Sequence, residues 1–201
     1  MYKAIIFDLG RVLVHFDFEL GYRALEGLCP YAAADIPGRI FPTGLVRRFE
    51  TGLIDSREFY ARFSELLSLR IDYAQFCEIW SSIFTEALLP ESLFESLAAR
   101  YRLVLLSNTN ALHFEAMRAR LPHLRHFHHL VLSYEVKAMK PQPEIFRAAI
   151  DLAQCRAEEC FFTDDIPEYV EAARALGIDA VPFESREQIE RELRARGILA
   201  P

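Results

Sequence analysis

The sequence predicts an α/β fold: a doubly wound parallel sheet with a small helical bundle inserted after its first strand. Three observations predict it. The chain opens on an apolar run, Ala4 to Phe7, that ends abruptly in Asp8. From Phe18 to about Phe84 the apolar residues recur at helical spacing, with no convincing strand. After Phe84, short apolar runs alternate with helical stretches of ten or so residues, the texture of βα units that build a parallel sheet. Residues 1–15 and 86–201 are therefore expected to form the α/β core, and 16–85 an inserted helical cap.

Ala4 to Phe7 is too short for a helix and has no polar face, which fits a strand covered on both sides. An ionised Asp directly after such a run points to a site rather than to packing. Within the insert, Phe18, Tyr22, Leu25 and Leu28 fall on one helix face, as do Phe76, Trp80 and Ile83. Asp55 followed by Glu58, and Asp72 followed by Gln75, read as helix N-caps with reciprocal partners. Pro30, Pro37, Gly38, Pro42 and Gly44 break the second quarter into short pieces. A bundle of four or five helices is expected, with Trp80 and the phenylalanines as its core.

Beyond the insert, Pro90 opens a helix that runs to Arg100, and Leu103 to Leu106 is a strand ending at Ser107-Asn108. Leu112, Phe114 and Met117 mark a helix, and Leu130 to Leu132 a short strand. Pro143 opens a helix through Leu152, and Cys160 to Thr163 is a strand ending at Asp164-Asp165. Gly177 closes the next helix, Ala180-Val181 makes a last strand, and a terminal helix through Ile189 and Leu193 stops at Gly197.

At 201 residues and 52% hydrophobic, the chain can bury a substantial core. Its net charge of -6 is spread without a basic block, which argues against a nucleic-acid partner and for a small molecule. Cys29, Cys77, Cys155 and Cys160 show no CxxC spacing and read as free thiols of a reducing cytoplasm. No basic leader and no stretch of about 18 apolar residues is present, so neither export nor membrane insertion is expected.

In an open parallel sheet, functional groups gather outside the carboxyl ends of the strands. Here the first predicted strand ends in Asp8, the second in Ser107-Asn108-Thr109-Asn110, the third leads to Lys137 and Lys140, and the fourth ends in Asp164-Asp165. Converging carboxylates repel one another, and a bound cation is the usual remedy. An all-oxygen donor set favours Mg2+. Taken singly, each residue has an ordinary reading: Ser107 and Asn108 as turn residues, Asp164 and Asp165 as a helix cap, Lys140 as a solvated lysine. His123, His126, His128 and His129 suit neither one helix face nor a zinc pair, and are expected in a solvated loop. Arg47-Arg48 is expected at the surface, or gripping a substrate if it faces the site.

Four stretches, FDLGRVLV, LLSNTN, MKPQPEIF and FFTDDIPEYVEAARALGI, resemble in order and spacing the four motifs of the haloacid dehalogenase-like superfamily. The similarity is to its phosphatase-like branch with a helical cap and an FDLG first motif. That resemblance implies a Rossmann-like core and a Mg2+-dependent phosphatase of a small phosphorylated metabolite, such as a sugar phosphate. Asp8 would be the nucleophile that becomes an aspartyl-phosphate. Ser107 and the amides around Asn108 would hold the phosphoryl oxygens, and Lys140 would neutralise charge. Asp8, Asp165 and the Gly10 carbonyl would bind Mg2+, with Asp164 as a further ligand or just behind it.

Three departures from the pattern stand out. Most such phosphatases carry a second Asp where this chain has Gly10, so the general acid is missing; His15 and the substrate itself are the candidate substitutes. Arg11 stands where Gly or Asn is usual, and Tyr169 where Asn is common. Two alternatives follow: a hydrolase of the 2-haloacid dehalogenase type, and a catalytically weak protein that binds or senses a phospho-ligand. Substrate identity and oligomeric state are not legible.

Overall fold

The computed structural model describes residues 1–200. Strand β1 (Ala4–Phe7) is completely buried, as its lack of a polar face requires. A short strand β2 (Val14–Phe16) leads into five helices: α1 (Phe18–Ala24), α2 (Ile36–Ile40), α3 (Leu45–Glu50), α4 (Ser56–Leu67) and α5 (Tyr73–Trp80). The chain leaves them through β3 (Phe84–Ala87), which pairs antiparallel with β2.

The remainder alternates: α6 (Glu91–Ala98), β4 (Arg102–Ser107), α7 (Ala111–Arg120), β5 (His129–Leu132), α8 (Ser133–Val136), α9 (Pro143–Ala153), β6 (Cys160–Asp164), α10 (Pro167–Ala175), β7 (Asp179–Pro182) and α11 (Arg186–Ala195). The five long-range strands make one parallel sheet in the order β5-β4-β1-β6-β7. Strand β1 is therefore central, and the crossovers go out to either side of it.

Alternation along the strands sorts the core into two layers. Ile5, Phe7, Leu103, Leu105 and Phe161 face α6, α7 and α11. Ala4, Ile6, Val104, Leu106 and Phe162 face α9 and α10. A third cluster belongs to the inserted helices and is aromatic, with Phe49, Phe59, Phe63, Phe76 and Trp80 in mutual contact. Both expected N-caps are present. Asp55 accepts from the backbone N–H groups of Arg57 and Glu58, but Glu58 pairs with Arg62 at 2.7 Å instead of returning the expected bond. Asp72 and Gln75 form a full capping box.

The β2–β3 ribbon is the one element that periodicity does not suggest. It pairs Val14 with Ala87 and Phe16 with Phe84, so the expected joints of the insert fall inside a paired ribbon rather than in free linkers. The histidines also depart from expectation. His123 is buried and donates from Nε2 to the Leu89 carbonyl at 2.8 Å, His126 meets Glu91 at 3.0 Å, and His128 Nδ1 accepts from the Leu103 amide at 3.0 Å. His129 opens β5 and is half-buried. Of the four only His128 is exposed as a solvated loop would have it, and the buried His123 is bonded through Nε2 alone, its Nδ1 having no partner. The four cysteines are free thiols, and among the described residues no helix is long and apolar enough to cross a membrane.

Candidate active site

Sheet register explains why distant residues meet. Phe7 is level with Leu105 on one side and Thr163 on the other. The next residue of each strand, namely Asp8, Leu106 and Asp164, therefore shares one level at the carboxyl edge. Lys140 reaches that level from the loop before α9. Its Nζ donates to Asp8 Oδ1 at 2.6 Å, to the Leu106 carbonyl at 3.1 Å and to Asp164 Oδ2 at 2.5 Å. One ammonium thus satisfies three adjacent strand ends.

Asn108 holds this lysine in place. Its Oδ1 accepts from the Lys140 backbone N–H at 2.8 Å, and its Nδ2 donates to the Lys140 carbonyl at 3.0 Å. The Asn108 side chain is thereby occupied as a clamp, and only its main chain remains for a ligand. Tyr169 stands behind it, with its hydroxyl 3.4 Å from Asn108 Nδ2. Ser107 is buried at the end of β4. With Leu9, Gly10, Asn108 and Thr109, it lines a small cavity of ≈ 50 Å³ whose other walls are Phe16, Phe18, Glu50, Ile83, Phe84 and His113.

Asp8, Asp164 and Asp165 each offer a carboxylate oxygen, and these oxygens all lie within 4.8 Å of one another. Burial pushes the Asp8 carboxyl up to about 7, with the Asp164 charge adding to the rise and Lys140 opposing it. Asp165 is raised too, first by burial and then by Asp164, against the pull of Arg11 and Lys140. Burial by itself would lower Lys140, but the two carboxylates outweigh it and hold the ammonium above its ordinary value. Asp164 has both oxygens engaged, Oδ2 by Lys140 and Oδ1 by the Ile166 amide at 2.9 Å. One ammonium lies among three carboxylates, with the Arg11 charge also acting on Asp165; burial is the main cause of the raised carboxyl values, and the Asp164 charge adds to it.

The structure brings together Asp8, Lys140, Asp164, Asp165, Ser107, Asn108 and Gly10, and leaves other singled-out residues outside. His15 is exposed on β2 and its ring bonds Thr85 at 3.0 Å, off the cavity wall. Lys137 is exposed and donates to the Gly52 carbonyl at 2.7 Å, bracing the insert against α8. Arg47 and Arg48 are surface residues, and Arg48 borders a separate groove with Arg62 and Glu65. Arg11 does not line the cavity but stands beside it: its guanidinium lies over the Phe16 ring, 5.1 Å from the centroid, and its charge reaches Asp165.

With this geometry in view, comparison with known proteins decides the family. The family model described as haloacid dehalogenase-like hydrolase matches residues 2–177. The chain belongs to the haloacid dehalogenase-like hydrolases. The resemblance read from the four motifs is thereby borne out, as is the α/β fold. Among characterised relatives of this hydrolase is D-ribitol-5-phosphate phosphatase from Bacteroides thetaiotaomicron, 27% identical over 203 residues that cover 96% of this chain and 97% of that protein. A solved enzyme of the family from the same organism, in complex with magnesium and inorganic phosphate, superposes with TM-score 0.82 at 28% identity, covering 92% of this chain and 96% of that one. A family hydrolase from Porphyromonas gingivalis superposes with TM-score 0.79 at 28% identity, covering 96% and 98%.

Two contributors escape sequence reasoning. Glu50 comes from the insert to the cavity wall, and Ser133 Oγ lies 2.6 Å from the Glu50 carbonyl and 2.9 Å from that of Thr109. A charged residue two positions before a glycine, at the end of a short helix, was the available signal for Glu50.

Proposed function

We propose that this hydrolase is a Mg2+-dependent phosphatase acting on a small phosphorylated sugar or polyol, with residues 16–85 serving as the cap over a site on the 1–15 and 86–201 core. The observation that carries the reading is Lys140 seated between Asp8 and Asp164, with Asp165 alongside and without such a partner. The phosphate-bound relative and the ribitol-phosphate enzyme support the substrate class.

In this reading Asp8 attacks phosphorus, the bond to the leaving oxygen breaks, and an aspartyl-phosphate forms that water later cleaves. Lys140 holds Asp8 in one orientation and offsets the charge that builds on the phosphoryl group. Asn108 fixes Lys140, while Ser107 and the main chain after it present donors to the phosphoryl oxygens. The donor set of Asp8, Asp165 and the Gly10 carbonyl, with Asp164 adjacent, fits a hard cation, because three carboxylate oxygens converge within 4.8 Å of one another in an all-oxygen site. Bound there, Mg2+ supplies positive charge to the phosphoryl oxygens. Carbon–halogen hydrolysis would also use Asp8 but has no need for the Asp164-Asp165 pair, so the geometry favours phosphoryl transfer.

A panel of phosphorylated polyols and sugars, assayed for phosphate release with and without Mg2+, tests this. We expect release that depends on Mg2+ and falls below about one-thousandth of the parent rate in Asp8→Asn, since the nucleophile is then lost. Binding of phosphate without turnover on any ester would point instead to a ligand-sensing protein, and chloride release from a 2-haloacid without metal to a dehalogenase.

A further inference from the structure

The first motif lacks the acid that would protonate the leaving oxygen, and the structure shows what occupies the space a side chain at position 10 would need. A Cβ built on Gly10 would lie 2.6 Å from Phe16 Cε1. The Phe16 ring is itself held edge-on by Phe18 and Phe84, at centroid distances of 5.2 and 6.2 Å. The space beside Gly10 therefore belongs to an aromatic wall, and a proton carrier has to enter from elsewhere.

Only two titratable side chains share the cavity with Gly10 and Ser107, namely His113 and Glu50. His113 is already used: its Nε2 donates to the Trp80 carbonyl at 2.9 Å, and Nδ1 faces Asn110 Nδ2 at 3.1 Å. Burial holds it near 4, so it stays neutral and committed. The His15 ring is turned to Thr85 outside the cavity. Glu50 remains.

Resting on the phosphatase reading, the geometry points to Glu50 as the proton donor and acceptor that position 10 lacks, delivered by the insert to the leaving-group side of the site. Its carboxylic acid gives a proton to the departing alkoxide as the P–O bond breaks. The resulting carboxylate takes a proton from the water that cleaves the aspartyl-phosphate, and the cycle closes without a further reagent.

Glu50 is anchored as such a role demands. It ends α3, and its carbonyl lies 2.6 Å from Ser133 Oγ, which also accepts from the Thr109 amide at 3.0 Å in the loop that follows Ser107. Two residues on, Gly52 packs so closely that a Cβ would lie 2.0 Å from the Tyr134 carbonyl. The Lys137 ammonium bridges the Gly52 and Tyr134 carbonyls at 2.7 and 2.9 Å. The end of α3 is thus fastened to α8 and to the strand-end loop, which sets Glu50 relative to Ser107 rather than leaving it on a swinging surface. Burial, with no neighbouring charge to offset it, raises the carboxyl to about 7, near the value a group alternating between acid and base requires. A partly buried carboxyl of this kind costs stability, so its place on the wall calls for a use.

The test is a leaving-group comparison. kcat/KM is measured for an alkyl phosphate, ribitol 5-phosphate, and for p-nitrophenyl phosphate, whose phenolate departs without a proton. In Glu50→Gln we expect the alkyl ester to lose at least about 100-fold more than the aryl ester, the lower end of what a general acid contributes. Glu50→Asp, which keeps the acid on a shorter arm, should show the same selective loss in smaller measure. Equal losses on both esters, or no loss on the alkyl ester, would overturn the assignment and leave Glu50 as a binding or packing group. If the parent protein hydrolyses neither ester while binding phosphate, the phosphatase reading fails and this inference with it.

Discussion

Gly10 is the residue on which the chemistry turns, because it trades an acid for an aromatic neighbour. The sequence showed the missing carboxylate but not what replaced it. The contact between Gly10 and Phe16 joins residues that lie on either side of a turn containing Arg11 at φ 58°, and no spacing rule reports such a fold-back. Restoring the acid alone should therefore fail. Gly10→Asp would drive its Cβ into a ring at 2.6 Å, and overpacking of this kind costs about 1–3 kcal/mol. We expect Gly10→Asp to lower both stability and alkyl phosphate turnover, and Gly10→Asp with Phe16→Ala to recover turnover beyond either single change. A double-mutant cycle on kcat/KM measures this. Additive effects would mean that the ring does not govern the space beside Gly10. Glu50 went unread for a similar reason, since its place on the cavity wall is set by where the end of α3 docks on α8, of which the nearby Gly52 is only a faint local sign.

At the scale of elements, the strands that carry Asp8, Ser107 and Asp164-Asp165 were legible because burial on both faces leaves uninterrupted apolar runs with polar ends. Helix starts at Asp55 and Asp72 were legible because capping is local chemistry. The β2–β3 ribbon was not. Val14 to Phe16 is three residues long, and Phe84 to Ala87 is mostly exposed, so neither carries the period-two pattern of a half-buried strand. Also hidden was the docking of the α3–α4 loop on α8, which depends on Gly52 at φ 61°. Gly52→Ala would meet both backbone strain and the Tyr134 carbonyl, a cost of about 1–3 kcal/mol for the conformation alone. Because that loop sets the position of Glu50, we expect alkyl phosphate kcat/KM to fall about 100-fold, as misplacement by about an ångström does elsewhere. Hydrolysis of p-nitrophenyl phosphate should fall by less. A variant as fast as the parent on both esters would show that the loop can detach without consequence.

At the scale of the whole molecule, the insert and the core are joined through His113. It sits on α7 of the core, stacks on Trp80 of α5 with centroids 5.0 Å apart, and donates to the Trp80 carbonyl. A carbonyl can only accept, so Nε2 carries the proton. Asn110 Oδ1 accepts from the His113 backbone N–H, which turns Asn110 Nδ2 towards Nδ1. Protonating Nδ1 would set donor against donor in a buried place. Burial is the main reason that the folded protein holds this imidazole near 4 instead of 6.5. The folded state then binds fewer protons than the unfolded chain between those two values, so the contribution is intact above about pH 6.5 and is lost as pH falls towards 4. Linkage puts the loss at about 2 kcal/mol between pH 7 and pH 5. Urea unfolding at these two pH values should show it, and His113→Gln should flatten the dependence by a similar amount. Since the contacts at stake tie α5 to α7, acid should loosen the junction that carries the insert, and with it Glu50, before it melts the sheet. Hydrogen exchange at pH 5 should therefore rise first in α5 and the start of α7; equal acceleration throughout β1, β4 and β6 would mean that the two layers unfold as one unit.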